Sequence, residues 1–161
     1  MIYFYKQYGE LGYLATYSEH GFYKDGVFWS TCEHYYQAQK FDDDEIKEKI
    51  RNAPTPKIAS EIGRDRKNII RKNWSEIKQK VMLEAVLEKF RAHKDILKKL
   101  LDTGDEEIVE ETTKENYWGC GPNKDGQNNY GKILCIAREI LRKENMSIWQ
   151  IALNIVKLSR I

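Results

Sequence analysis

Residues 30–41 (Ser-Thr-Cys-Glu-His-Tyr-Tyr-Gln-Ala-Gln-Lys-Phe) read as a helix, yet carry polar and ionisable side chains where a core helix would carry leucines. On a helix, Glu33, Gln37 and Lys40 stand at i, i+4 and i+7 and share one face, so a carboxyl, an amide and an amine point into one space. Tyr35, Tyr36 and Phe41 add apolar and stacking surface that keeps such a space partly dry and moves ionisable groups off their solution pKa values. Taken together, this is the wall of a site rather than core. Taken singly, the residues have plainer readings. Ser30 with Glu33 fits a capping box, Lys40 reads as a solvated charge beside the acidic run Asp42–Glu45, and His34 reads as a hydrogen-bonded structural histidine.

A chain of 161 residues fits one domain with a real core. Ten tyrosines and four tryptophans in a chain one-third charged indicate a soluble globular protein with ample surface for stacking on planar ligands. The net charge of +2 neither demands nor excludes a nucleic-acid partner, but Arg64-Asp65-Arg66-Lys67 and then Arg71-Lys72 form a local basic cluster. Cys32, Cys120 and Cys135 are too irregularly spaced for a zinc site or a disulfide framework and are expected as reduced thiols. With no leader pattern and no apolar run of spanning length, the expected location is the cytoplasm, with no metal or cofactor and no membrane partner.

Periodicity and breakers give the element order. Ile2-Tyr3-Phe4-Tyr5 and the segment 21–29 read as short strands, with Lys24-Asp25-Gly26-Val27 as a hairpin turn. Helices follow over 30–41, around Ile46 and Ile50, and from Thr55-Pro56 to Gly63. The longest runs from Asn73-Trp74 through Ile77, Val81, Met82, Ala85, Val86 and Phe90, with Glu88 on its edge. A short helix covers 95–102 with Gly104 as its stop, and 107–112 reads as a strand. Residues 117–131, rich in Gly and Asn, read as a long loop. Two amphipathic helices close the chain, one through Ile133, Leu134, Ala137, Ile140 and Leu141 and one capped by Ser147. The expected fold class is α+β, a mostly α-helical single domain with a small N-terminal sheet.

Several separated motifs, Thr31 to Phe41, Gly63-Arg64-Asp65, Lys72-Asn73-Trp74, Lys89-Phe90, Tyr117-Trp118-Gly119, Asn128 and Gly131-Lys132-Ile133-Leu134, resemble in this order the NADAR family, the YbiA-like N-glycosidases. The resemblance covers about residues 2–143. It implies a domain over 1–144, with 145–161 as an added helix packing on that core or on a second copy. Members of the family are held to cleave a bond between nitrogen and the anomeric carbon of a ribose, in ADP-ribosylated guanine of nucleic acid or in phosphorylated ribosylamino-pyrimidine intermediates of riboflavin synthesis. The resemblance thus implies as partner an ADP-ribosylated nucleic acid or a phosphorylated ribosyl small molecule, and association with an ADP-ribosyltransferase toxin system.

The chemistry implied makes Glu33 the acid or the charge-stabilising carboxylate, and Lys40 an amine that attacks the opened anomeric carbon to form an imine. That route needs a lysine pKa lowered by burial, which an ionised Glu33 would oppose. Trp74 and Trp118 are the candidate stacking walls, Arg64 and Lys72 the candidate phosphate holders, and His34, Tyr36, Gln37, Gly119 and Asn128 further binding residues. Two positions depart from the family pattern. Cys120 stands where many relatives have an aspartate, a role Asp125 would have to assume, and Ala15-Thr16-Tyr17 replaces a Ser-Asn-aromatic element. A domain that binds ADP-ribose or nucleotides without cleaving them is the alternative outside catalysis.

Overall fold

A computed structural model describes residues 1–159. Among these residues four short strands are joined to seven α-helices: β1 (Ile2–Phe4), β2 (Phe22–Lys24), β3 (Val27–Trp29), α1 (Cys32–Ala38), α2 (Asp44–Arg51), α3 (Pro56–Arg64), α4 (Trp74–Ala92), α5 (Lys94–Asp102), β4 (Ile108–Glu110), α6 (Asn129–Glu144) and α7 (Ile148–Leu158). The architecture is the expected single α+β domain. Its strands are arranged differently from the expectation, because they form two separate pairs. β2 and β3 make the hairpin, turning on Asp25 and Gly26, both at positive φ, as a two-residue primed turn requires. β1 does not join them. It pairs in parallel with β4, Ile2 opposite Ile108 and Phe4 opposite Glu110.

The core lies around α4, whose Val81, Met82, Ala85, Val86 and Phe90 are buried against α1, α5 and α6. The edge residue of its apolar face is Lys89 rather than Glu88. Lys89 is completely buried, and its Nζ donates to the carbonyls of Tyr13 and Ala15 (2.7 and 3.2 Å) and to Ser18 Oγ (3.2 Å). Three acceptors replace the water a buried ammonium loses. The result is that α4 holds the irregular segment 12–18, including a short 3₁₀ turn at Gly12–Leu14, against the front of α1.

α6 begins inside the segment read as loop, at Asn129. The preceding Asn128 takes a left-handed conformation (φ 49°) and uses both ends of its amide on β4: Oδ1 accepts from the Glu110 N–H (3.0 Å) and Nδ2 donates to the Ile108 carbonyl (2.9 Å). β4 is therefore fixed on one edge by β1 and on the other by a side chain. The last helix, α7, forms with the expected Ser147 cap. Its apolar residues Ile151, Leu153, Ile155, Val156 and Leu158 are exposed in the single chain, where the sequence reading expected packing on the core or on a second copy. Among the described residues no helix is long and apolar enough to cross a membrane.

Candidate active site

α1 is shorter than its sequence pattern. Thr31 is the N-cap, its hydroxyl oxygen accepting from the His34 N–H (3.2 Å), so the capping box through Ser30 does not form. Lys40 lies two residues past the last helical residue, yet still reaches the space in front of Glu33 and Gln37. All three line one cleft of about 1360 Å³, with Thr16, Tyr17, Tyr36, Arg64, Glu110, Glu115 and Trp118 among its other walls.

Within the cleft the polar groups have distinct states. Glu33 is buried and accepts on both oxygens, from Gln37 Nε2 at 2.7 Å and from Thr16 Oγ1 at 3.1 Å. Thr16 thus supplies a contact at the position where the chain departs from the family pattern. Gln37 is held with its nitrogen toward Glu33 and its Oε1 buried without a partner. Lys40 Nζ donates to the Gly63 carbonyl (3.2 Å), and its pKa lies below the ordinary 10.5. Burial is the largest cause; Glu33 pushes the other way and Arg64 adds to the lowering. Desolvation therefore outweighs the carboxylate in setting the direction of the shift.

The structure adds two carboxyl groups that the sequence reading did not single out. Glu110 ends β4 and faces the cleft, and its pKa is pushed up to about 8, mainly by burial and then by the charges of Glu115 and Glu33. Its carboxyl makes no hydrogen bond among the described residues, whereas its backbone is pinned by Asn128 and by the Cys120 N–H (2.9 Å). Glu115 accepts from the backbone N–H groups of Tyr117, Trp118 and Gly119 at 2.5–2.9 Å, so it organises the loop that carries Trp118. Glu110 is one of four glutamates in residues 106–111, and only its place two residues after the buried Ile108, on the same face of a strand, marks it.

Several expected site residues stand elsewhere. His34 is a packing residue: its Nε2 donates to the Ala53 carbonyl (3.0 Å), which fixes the tautomer in which Nδ1 accepts from the Thr31 hydroxyl (2.8 Å). Burial lowers its pKa, consistent with the neutral ring. Trp74 packs behind Tyr36 at a tilt of 57° (centroids 5.0 Å apart), while Trp118 meets the same ring edge-on at 5.6 Å and lines the cleft. Only Trp118 is a wall. Lys72 and Asp125 are exposed away from the cleft lining. Cys120 is buried with Sγ toward the Gly121 carbonyl, so neither thiol nor Asp125 supplies a carboxylate there. Gly119 serves packing, since a Cβ would meet the Thr112 side chain and the Glu110 carbonyl. Asn128, as above, positions β4.

A cleft lined by an amine, several carboxyls and an aromatic wall holds the groups that acid–base and nucleophilic chemistry use. The NADAR domain family model matches residues 3–142. N-glycosidase Npun_R5314 of Nostoc punctiforme is 44% identical over 144 residues, covering 88% of this chain and 92% of that protein. The riboflavin biosynthesis protein VVA0006 of Vibrio vulnificus is 37% identical over 142 residues, which span 88% of this chain but 39% of that longer protein. The NMR structure of the Escherichia coli protein YbiA superposes with a TM-score of 0.83 at 38% identity, covering 89% of this chain and 85% of that one. The chain belongs to the NADAR domain family, and with it to the hydrolases of N-glycosyl bonds.

Proposed function

We propose that this cleft removes ADP-ribose from guanine in nucleic acid by cleaving the bond between ribose C1′ and the base nitrogen. The observation that carries the reading is the meeting, in one cavity, of a desolvated lysine and a carboxyl that keeps its proton at neutral pH. Cleavage of such a bond needs a proton for the departing nitrogen and electron density at C1′. Glu110 donates that proton. Lys40, as the free amine, bonds to C1′ as the C1′–N pair leaves with the base; the C1′–O4′ bond then opens, O4′ taking the proton lost by the lysine nitrogen, and water adds to the imine so formed, the adduct expelling the amine and leaving the free sugar. Glu33, fixed by Gln37 and Thr16, faces the charge developing on the ribose.

Substrate size and walls favour the ADP-ribosyl reading. The cleft exceeds the roughly 300–1,000 Å³ of an ordinary small-ligand pocket, Trp118 offers a stacking face for a base, and Arg64 offers a fork for the diphosphate. The riboflavin-intermediate reading has in its favour the names of two relatives, the Vibrio protein and a riboflavin biosynthesis protein of Zea mays. Against it stands Cys120, buried where the aspartate assigned to that reaction would be. The binding-only alternative leaves the lowered lysine and the protonated carboxyl without a use.

The test is incubation of the protein with a guanine-ADP-ribosylated oligonucleotide, and separately with the ribosylamino-pyrimidine phosphate, following released sugar by mass spectrometry beside a Lys40→Ala control. Release of ADP-ribose that vanishes in the control, with a borohydride-trapped adduct on Lys40, supports the proposal. Release only from the pyrimidine, or from neither, overturns it.

A further inference from the structure

Between α3 and α4, residues 65–73 form a loop that the chemistry above does not use. It leaves the cleft lining at Arg64 and is tied back at Arg71, whose N–H donates to the backbone carbonyl of the cleft residue Lys40 (2.8 Å). The loop has a defined shape: Asp65 Oδ1 accepts from the Lys67 N–H (3.0 Å), the Asn68 N–H reaches the Asp65 carbonyl (3.1 Å), and Asn68 Nδ2 donates to the Ile62 carbonyl (3.0 Å). Its side chains point the wrong way for a connector. Ile69 is 86% exposed and Ile70 46%. Arg66, Lys67 and Lys72 are exposed, and none has a carboxylate within 4 Å among the described residues, whereas the neighbouring Arg71 does, in Asp42 (3.7 Å). The one acid of the loop, Asp65, spends its carboxyl oxygen on the backbone turn.

We infer that this loop is the rim on which a single-stranded nucleic acid lies while its modified base occupies the cleft, with Arg66, Lys67 and Lys72 on backbone phosphates and Ile69 against an adjacent base. The inference rests on the proposed function, because a strand whose base enters the cleft must carry its phosphodiesters across the nearest edge. Unpaired cations on that edge meet those phosphates at no cost of breaking other pairs. An apolar side chain standing free among cations suits the face of an unstacked base, which is apolar and flanked by charge. A single strand fits better than a duplex, since a base-linked ADP-ribose reaches an enclosed site only once the base leaves its stack.

The experiment has a binding arm and a turnover arm, using wild type and the double variant Arg66→Gln/Lys67→Gln, both checked for folding by circular dichroism. Anisotropy of an unmodified 12-nucleotide single strand is measured at 50 and 200 mM salt. Two lost phosphate contacts at a slope of about 0.7 each make the salt-induced weakening about sevenfold smaller in the variant than in wild type. ADP-ribose release is then compared on an ADP-ribosylated guanine oligonucleotide and on the ADP-ribosylated guanosine mononucleoside. The expected result is a severalfold lower kcat/KM on the oligonucleotide at 50 mM salt with the mononucleoside rate unchanged.

Equal strand binding by both proteins at both salts overturns the inference. So does equal loss on the mononucleoside, which would put these side chains inside the cleft chemistry, or displacement of the strand by polyglutamate as readily as by a competing oligonucleotide. If wild type releases nothing from either substrate while the variant still shows the weaker strand binding, the substrate reading fails and the rim stands.

Discussion

Replacing Glu110 by Gln removes the proton donor and the buried acid together, and the two effects move in opposite directions. With its pKa raised from the ordinary 4.5 to about 8, the folded wild type keeps the proton at neutral pH while the unfolded chain gives it up. The contribution of this group to stability is therefore fully present below pH about 4.5 and is lost as the pH rises through about 8. At roughly 1.4 kcal/mol per pH unit the whole difference is about 5 kcal/mol, an upper bound that relaxation and water entry reduce. Glu110→Gln, which never ionises, should lack this slope. In urea unfolding at pH 5, 7 and 9, the wild type should lose a few kcal/mol across the series and the variant should not. The same substitution should lower kcat about 10²- to 10⁴-fold. The wild-type rate should fall above pH 8, and the residual rate of the variant should not fall there. A variant that is as active as wild type with the alkaline fall intact would refute the assignment of Glu110. A wild type whose stability is flat from pH 5 to 9 would refute the buried state from which it is argued.

Four further outcomes follow from the geometry. Thr16→Val removes one of the two bonds to Glu33 and should cost about 1 kcal/mol, roughly fivefold in kcat, with the urea midpoint unchanged. Gly63→Ala places a methyl on Gln37 Oε1, so it should move that amide off Glu33 and reduce kcat more than it raises KM, read from steady-state kinetics. Lys89→Met leaves the Tyr13 and Ala15 carbonyls and the Ser18 hydroxyl without their donor and should lower stability by about 1–3 kcal/mol in urea. Lys40→Arg keeps a cation but no titrating amine, so borohydride should trap no adduct on it, by intact-mass measurement, whatever its residual binding.

How far the sequence could be read depended on whether a residue's role was local. The face of Glu33, Gln37 and Lys40 was legible because helical spacing alone sets it, even though the helix stops at Ala38 and Lys40 continues the face from beyond its end. The hairpin at Asp25-Gly26 and the Thr55 cap with Pro56 were legible for the same reason. The pairing of β1 with β4 was not, since a three-residue strand carries no mark of its partner and the nearer hairpin was the more obvious one. Glu110 was hidden by its acidic neighbours, and what singles it out is burial, which depends on β1, Asn128 and Glu115 meeting there. Lys89 hid in the same way: on a helix so rich in charge, nothing local says which lysine is inside. Trp74 and Trp118 looked equivalent as sequence, and only the position of Tyr36 between them decides which one reaches the cleft.

The parallel pair of β1 and β4 also orders events during synthesis. Ile2–Phe4 is made roughly a hundred residues before the strand it pairs with, and at roughly 5–20 residues per second it waits on the order of 5–20 s on the ribosome. The helices between them close through near-neighbour contacts and need not wait. For that interval an Ile-Tyr-Phe-Tyr segment has no strand beside it, a short sticky edge that holding factors or early self-association would find first. Glu110, the proposed proton donor, reaches its place only when that strand is captured, and α6, against which α4 is buried, is made later still.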